Sequence, residues 1–102
     1  MKTMDKTSEK YIERHLVEDM KIRCHGMCLK LSAEYVSGLP DRVCLFPKGQ
    51  LAFVELKTTG KKPRRLQEVI HQRLRELGFR VEVIDSVEGV DKLMDEFSDI
   101  PF

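Results

Sequence analysis

The chain has 102 residues, 41% hydrophobic and 34% charged, and a formal net charge of +1, which excludes a uniformly basic nucleic-acid coat. That length fits one domain, expected to span residues 1–102 around one modest core. No apolar run nears the roughly 20 residues of a membrane helix and the start Met1-Lys2-Thr3-Met4-Asp5-Lys6 lacks a signal's apolar core, so a cytoplasmic, intracellular setting is expected.

Residues 1–7 read as a frayed start. From Thr7 to Arg23 the apolar residues Ile12, Leu16, Val17 and Met20 recur at helical spacing, which predicts an amphipathic helix. Thr7 or Ser8 is placed to cap it, and Glu9 in the first turn suits the helix dipole. Gly26 breaks the pattern, and Met27 to Leu31 alternates as a short strand. Gly38 and Pro40 punctuate a loop. Strands follow at Arg42 to Phe46 and Leu51 to Lys57, joined by a four-residue turn, Pro47-Lys48-Gly49-Gln50.

Thr58 to Pro63 is a polar loop. A second helix is predicted from Arg64 to Leu77, with Leu66, Val69, Ile70, Leu74 and Leu77 as its buried stripe and Gly78 as its stop. Phe79 to Ile84 is dense in β-branched residues and predicts another strand. Ser86 is placed to cap a last helix, whose Val90, Leu93, Met94 and Phe97 suit either the core or a dimer contact. The order α-β-β-β-α-β-α describes an α/β domain: an antiparallel hairpin, then a right-handed crossover into a strand parallel to one of the others.

Charge is distributed unevenly along this order. Residues 57–80 hold eight basic and two acidic residues, whereas residues 81–102 hold one basic and seven acidic. Lys61, Lys62, Arg64 and Arg65 lead into the second helix, where cations oppose the helix dipole and an anionic ligand would relieve the conflict. The acidic tail is expected to lie away from that anion. Cys24, Cys28 and Cys44 cannot pair completely, and they read as small apolar fillers. Cys24-His25-x-x-Cys28 lacks the second ligand pair a zinc site needs. His15, His25 and His71 are assigned no role.

The strand Leu51 to Lys57 carries the chemistry. Period two places Leu51, Phe53, Glu55 and Lys57 on one face, with Ala52, Val54 and Leu56 on the other. Asp41 opens the preceding strand, and a hairpin sets its start against the end of its partner, so Asp41 can meet Glu55. Two carboxylates that close repel unless a proton or a cation lies between them. With Lys57 adjacent, a divalent cation is the simplest resolution, and oxygen ligands at an open edge suit Mg²⁺ or Mn²⁺. Glu9 and Glu13, four residues apart on the first helix, offer a third carboxylate.

Pro40-Asp41 followed by Glu55-Leu56-Lys57 resembles the PD-(D/E)xK motif of the restriction-endonuclease-like nuclease superfamily. The flanks are more specific. Gly38-Leu39-Pro40-Asp41-Arg42, Phe53-Val54-Glu55-Leu56-Lys57, the Gly60-Lys61-Lys62-Pro63 loop and Leu66-Gln67 are similar to the virus-type replication-repair nuclease (VRR-NUC) family. Ser8-Glu9-Lys10-Tyr11-Ile12-Glu13-Arg14 and Gly78-Phe79-x-Val-x-Val-Ile84-Asp85 resemble its small stand-alone, phage-like members. The likeness covers about residues 8–97.

The resemblance implies a PD-(D/E)xK core with a mixed central sheet flanked by helices. It makes Asp41, Glu55 and the Leu56 backbone carbonyl metal ligands, Lys57 the catalytic lysine and Gln67 a supporting polar group. The helix acid is Glu9 or Glu13; Glu13 is favoured because Glu13-Arg14-x-Leu16-Val17 also resembles the first helix of archaeal Holliday-junction resolvases. The implied activity is Mg²⁺- or Mn²⁺-dependent endonucleolytic cleavage of branched DNA, such as Holliday junctions or flaps, leaving a 5′-phosphate and a 3′-hydroxyl. A homodimer is expected, with Lys61, Lys62, Arg64 and Arg65 on the DNA phosphates. The rival expectations are a non-catalytic nucleic-acid-binding module and a subunit that cleaves only within a larger repair or restriction complex.

Overall fold

The computed structural model describes residues 5–98. Its elements are α1 (Glu9–Cys24), β1 (Met27–Lys30), β2 (Arg42–Leu45), β3 (Leu51–Leu56), α2 (Arg65–Glu76), β4 (Val81–Ile84) and α3 (Val87–Phe97), with a 3-10 turn at Pro47–Gly49. The strands form one sheet in the order β1-β2-β3-β4. β1, β2 and β3 pair antiparallel in succession, and β4 returns parallel to β3 after the α2 crossover. This is the mixed sheet flanked by helices that the sequence predicts. No helix among the described residues is long and apolar enough to cross a membrane.

Caps start both core helices. Ser8 Oγ accepts from the Tyr11 amide of α1 at 3.2 Å, and Ser86 Oγ accepts from the Gly89 amide of α3 at 2.9 Å. Each such cap stabilises its helix by about 1 kcal/mol. Within the start read as frayed, the described residues Asp5 and Thr7 make hydrogen bonds. Thr7 donates through N and Oγ1 to Asp5 Oδ1, and its carbonyl accepts from the Thr59 amide at 2.9 Å, which ties the turn to the loop after β3. Residues 1–4, also read as part of that start, lie outside the described residues.

The core occupies one side of the sheet. Ile12, Leu16, Met20 and Cys24 of α1 meet Cys44, Ala52, Val54, Leu56 and Ile84 of the sheet and Val90, Leu93, Met94 and Phe97 of α3. Phe46 stacks on Phe97 with ring centroids 3.8 Å apart, so the last helix belongs to the core rather than to a dimer contact. Its outer edge is tied to α1 by charge: Asp91 accepts from His15 Nε2 at 2.9 Å, and Arg23 pairs with Asp19, Asp91 and Asp95. Phe46 also joins the connection between β2 and β3, its amide donating to the Gln50 carbonyl at 2.8 Å. That connection is one residue longer than the predicted turn.

α2 lies on the opposite face, and its predicted stripe is wrong. Leu66, Val69 and Leu77 are 52%, 55% and 55% exposed, and Ile70 and Leu74 are half-buried. The side turned to the sheet is polar: Gln67 reaches Glu55, His71 is fully buried, and Arg75 donates to the Val81 carbonyl. The physical reason is the face of β3 beneath it. Alternation gives Ala52, Val54 and Leu56 to the core, and so turns the charged Glu55 toward α2.

Candidate active site

Asp41 stands one rung past the Arg42–Val54 pair of the β2–β3 ladder, beside Glu55. Gly38 makes the approach possible. At φ +90° it lets the bend before Asp41 lie on α2, where a Cβ would come within 2.8 Å of the Leu66 carbonyl oxygen. Asp41 Oδ2 then accepts from the Leu56 amide at 2.9 Å, fixing the carboxylate against the end of β3. The Leu56 side chain is anchored in the core.

Glu55 is only 1% exposed. Its Oε2 accepts from Gln67 Nε2 at 2.8 Å and lies 3.2 Å from Lys57 Nζ. The other Gln67 amide atom, Oε1, accepts from the Arg64 amide at 2.9 Å, so the side chain is held at both ends at the start of α2. Burial, and then the Asp41 charge, push the Glu55 carboxyl above its ordinary range, with Lys57 opposing. Among the described residues, Glu55 Oε1 is buried without a hydrogen-bond partner.

The two helix acids are placed differently. Glu9 is raised by burial and then by Asp41, and lowered by Lys57, so it shares the field of the site. Glu13 instead pairs with Arg42 Nε at 3.1 Å, and Arg42 also donates to the Cys28 carbonyl. The site therefore draws together Asp41, Glu55, Lys57 and Gln67 with Glu9 nearby, whereas Glu13 is engaged by a neighbouring cation.

These residues fit a hard divalent cation. Carboxylates that raise one another's affinity for protons, and a buried carboxylate oxygen lacking a partner, are what a bound cation would satisfy. A different group, His15, Asp19 and Asp91, has ligand atoms within 4.8 Å of one another among the described residues. Arg23 already neutralises that group, with Nη1 3.5 Å from Asp91.

The loop between β3 and α2 carries the basic cluster. Asp85, at the end of β4, ties it down: its Oδ2 accepts from the Gly60 amide at 3.0 Å and its carbonyl from Thr59 Oγ1 at 2.5 Å. One acid of the tail thus lies under the basic loop, contrary to expectation, and is used on its backbone. Lys61, Lys62, Arg64 and Arg65 are all exposed, and among the described residues none makes an ion pair. Arg80, in the same basic segment, is spent on Glu82 and Glu96.

Sequence alone gave His71 no role, yet it lies against the site. It is 1% exposed, and its Nε2 lies 4.0 Å from Glu55 Oε1. Burial, then Arg75 and Lys57, hold its imidazole below the usual range, which favours the neutral ring. The available signal was its spacing: four residues after Gln67, it shares that residue's helix face.

No protein-family model matches the sequence. The chain is similar to "Putative nuclease p44" of Acyrthosiphon pisum secondary endosymbiont phage 1, at 40% identity over 78 residues, which cover 76% of this chain and 83% of that protein. It is also similar to a solved VRR_NUC domain, with a TM-score of 0.80 and 34% identity over 87% of this chain and 96% of the other. At 34% identity over 96% of that VRR_NUC domain, and 40% identity to the phage nuclease, the chain belongs to the VRR-NUC family of nucleases.

Proposed function

We propose that the protein is a Mg²⁺- or Mn²⁺-dependent DNA endonuclease, selective for structure, that hydrolyses phosphodiester bonds in branched DNA such as Holliday junctions or flaps. The observation that carries this reading is the meeting of Asp41, Glu55 and Lys57 at one end of the sheet, next to four exposed cations. Asp41, Glu55, the Leu56 carbonyl and Glu9 would hold the cation. Glu9 is preferred to Glu13 because Glu13 is engaged by Arg42. When bound there, a divalent cation supplies positive charge at the phosphate and lowers the pKa of a coordinated water.

The side chains do the rest. Lys57 Nζ, 16% exposed at the side chain and beside Glu55, orients the attacking water and offsets charge on the phosphorane-like transition state. Gln67 holds Glu55 Oε2 in place, and the Leu56 amide holds Asp41. Lys61, Lys62, Arg64 and Arg65 neutralise the phosphates flanking the scissile one, which orients the strand without reading bases. Attack in line with the P–O3′ bond leaves a 5′-phosphate and a 3′-hydroxyl.

The proposed form is a cytoplasmic homodimer, which supplies two sites for two strands. Its support is the exposed apolar side chains of Leu66 and Val69 on α2 and of Leu77 at its C-cap, since clustered exposed apolar residues mark association surfaces. The test is incubation of the purified protein with labelled four-way junction, flap and linear duplex, in Mg²⁺, Mn²⁺ or EDTA. Metal-dependent cutting of the branched substrates ahead of the duplex supports the reading. Junction binding without cleavage in either metal would instead identify a binding module.

A further inference from the structure

Two buried polar atoms face each other at the back of the site: the Glu55 oxygen already considered for the cation, and a nitrogen of His71, to which the mechanism above gives no part. Among the described residues, Glu55 Oε1 and His71 Nε2 both lack hydrogen-bond partners, and they lie 4.0 Å apart. Both residues are 1% exposed, so bulk water satisfies neither atom. A packing role alone does not account for a histidine here, because an apolar side chain would fill the space without stranding a ring nitrogen.

Helix geometry sets the relation. Gln67 and His71 are one turn apart on the face of α2 turned to β3. Gln67 Nε2 donates to Glu55 Oε2, and His71 is aimed at the other oxygen of the same carboxylate. Successive turns of one helix therefore bracket Glu55. The separation is too short for a bridging water, whose two legs of about 2.8 Å would hold the flanking atoms roughly 4.6 Å apart. It exceeds a direct hydrogen bond by only about 1 Å.

We propose that His71 is a positioning residue for Glu55, donating Nε2–H to Oε1 and, with Gln67, locking the carboxylate in its ligating rotamer. A carboxylate has about four acceptor sites over its two oxygens. Gln67, Lys57 and His71 would occupy three, which leaves one free for a cation. The imidazole thus acts through Glu55 and touches neither the cation nor the DNA. This deepens the proposed nuclease reading and rests on Glu55 being a metal ligand.

The first measurement needs no metal. Long-range ¹H–¹⁵N NMR of the EDTA-treated protein reads the ring tautomer, and the Nε2–H form is expected, with its resonance shifted in Glu55→Gln. An Nδ1–H tautomer would overturn the proposal whether or not the protein is a nuclease. The second is Mn²⁺ titration by calorimetry, with single-turnover cleavage of a four-way junction, on wild type, His71→Leu and His71→Gln. His71→Leu keeps the bulk and loses the donor; His71→Gln restores an N–H near Nε2. Loss of such an outer partner typically weakens metal binding or activity about 10- to 100-fold.

His71→Leu should lose that much in Mn²⁺ affinity and cleavage rate with junction binding unchanged, and His71→Gln should recover most of it. Equal loss in both variants leaves only a packing role, and no loss in His71→Leu leaves none; either result overturns the proposal. Failure of the nuclease reading is distinguishable, because wild type itself would then neither bind Mn²⁺ nor cut, while the tautomer result would still stand.

Discussion

Replacing Glu55 with Gln should make the metal-free protein more stable while removing its activity. In the fold the Glu55 carboxyl is pushed above its ordinary value of 4.5 by burial and then by Asp41. A group whose folded pKa is raised contributes its full stability below the unfolded pKa, and that contribution is lost as pH rises through the folded value. At neutral pH the ionised carboxylate is therefore a net cost to the fold. Bringing it out of water costs several kcal/mol. Against this stand the 3.2 Å Lys57 contact and the 2.8 Å bond from Gln67, and charged hydrogen bonds contribute about 1.5–3 kcal/mol each. The raised carboxyl says the cost wins.

Glu55→Gln removes the charge and keeps an amide oxygen for Gln67. A gain of about 1 kcal/mol at pH 7.5 in EDTA follows, or about 4–8 °C in Tm for a domain near this size. Circular-dichroism melts from pH 4.5 to 8 would show the wild type losing ground to the variant as pH rises. Mg²⁺ should reverse the ranking: at 100 times its Kd a cation bound only to the folded state adds about 2.7 kcal/mol, and the variant should gain far less. A variant that melts below wild type in EDTA at pH 7.5, or equal stabilisation of both by Mg²⁺, would refute the reasoning.

Three further outcomes separate the roles of individual residues. Glu9→Gln should cut Mn²⁺-dependent cleavage by at least tenfold, whereas Glu13→Gln should cost mainly the exchange with Arg42 and show as a small drop in Tm; the reverse order in single-turnover rates would return the role to Glu13. Replacing Lys61, Lys62, Arg64 and Arg65 with Ser should weaken junction binding and flatten the plot of log affinity against log salt by about 0.9 for each phosphate no longer neutralised; an unchanged slope in fluorescence anisotropy would remove them from the interface. Changing Leu66, Val69 and Leu77 together to Ser should convert a dimer to a monomer in analytical ultracentrifugation with Tm little altered, because all three are half exposed in the single chain; a persistent dimer would place the interface elsewhere.

Much of this was legible because local pattern and tertiary environment agree. In α1 the stripe Ile12, Leu16 and Met20 is buried as periodicity requires, and in β3 the alternation of Ala52, Val54 and Leu56 with Glu55 separates core from site. Asp41, Glu55 and Lys57 could be joined across a hairpin from strand geometry alone. α2 was misread because periodicity identifies an apolar face without saying what that face meets. Leu66, Val69 and Leu77 form such a face, yet the sheet beneath the helix presents Glu55, and the polar pair Gln67 and His71 answers it. The choice between Glu9 and Glu13 depended on Arg42, whose side chain reaches Glu13 from β2; nothing in helix spacing carries that information. His71 was overlooked because a lone histidine gains meaning only when its unpartnered nitrogen is seen against Glu55 Oε1.

The most direct test of the central claim is single-turnover cleavage of an end-labelled four-way junction by wild type, Asp41→Ala and Lys57→Ala in Mg²⁺. Wild type should cut and EDTA should stop it. Both variants should bind the junction while cutting at least 100-fold more slowly, Lys57→Ala through loss of a transition-state donor and Asp41→Ala through loss of a carboxylate that would hold the cation. Undiminished cleavage by either variant would mean that the chemistry does not reside at the end of β3.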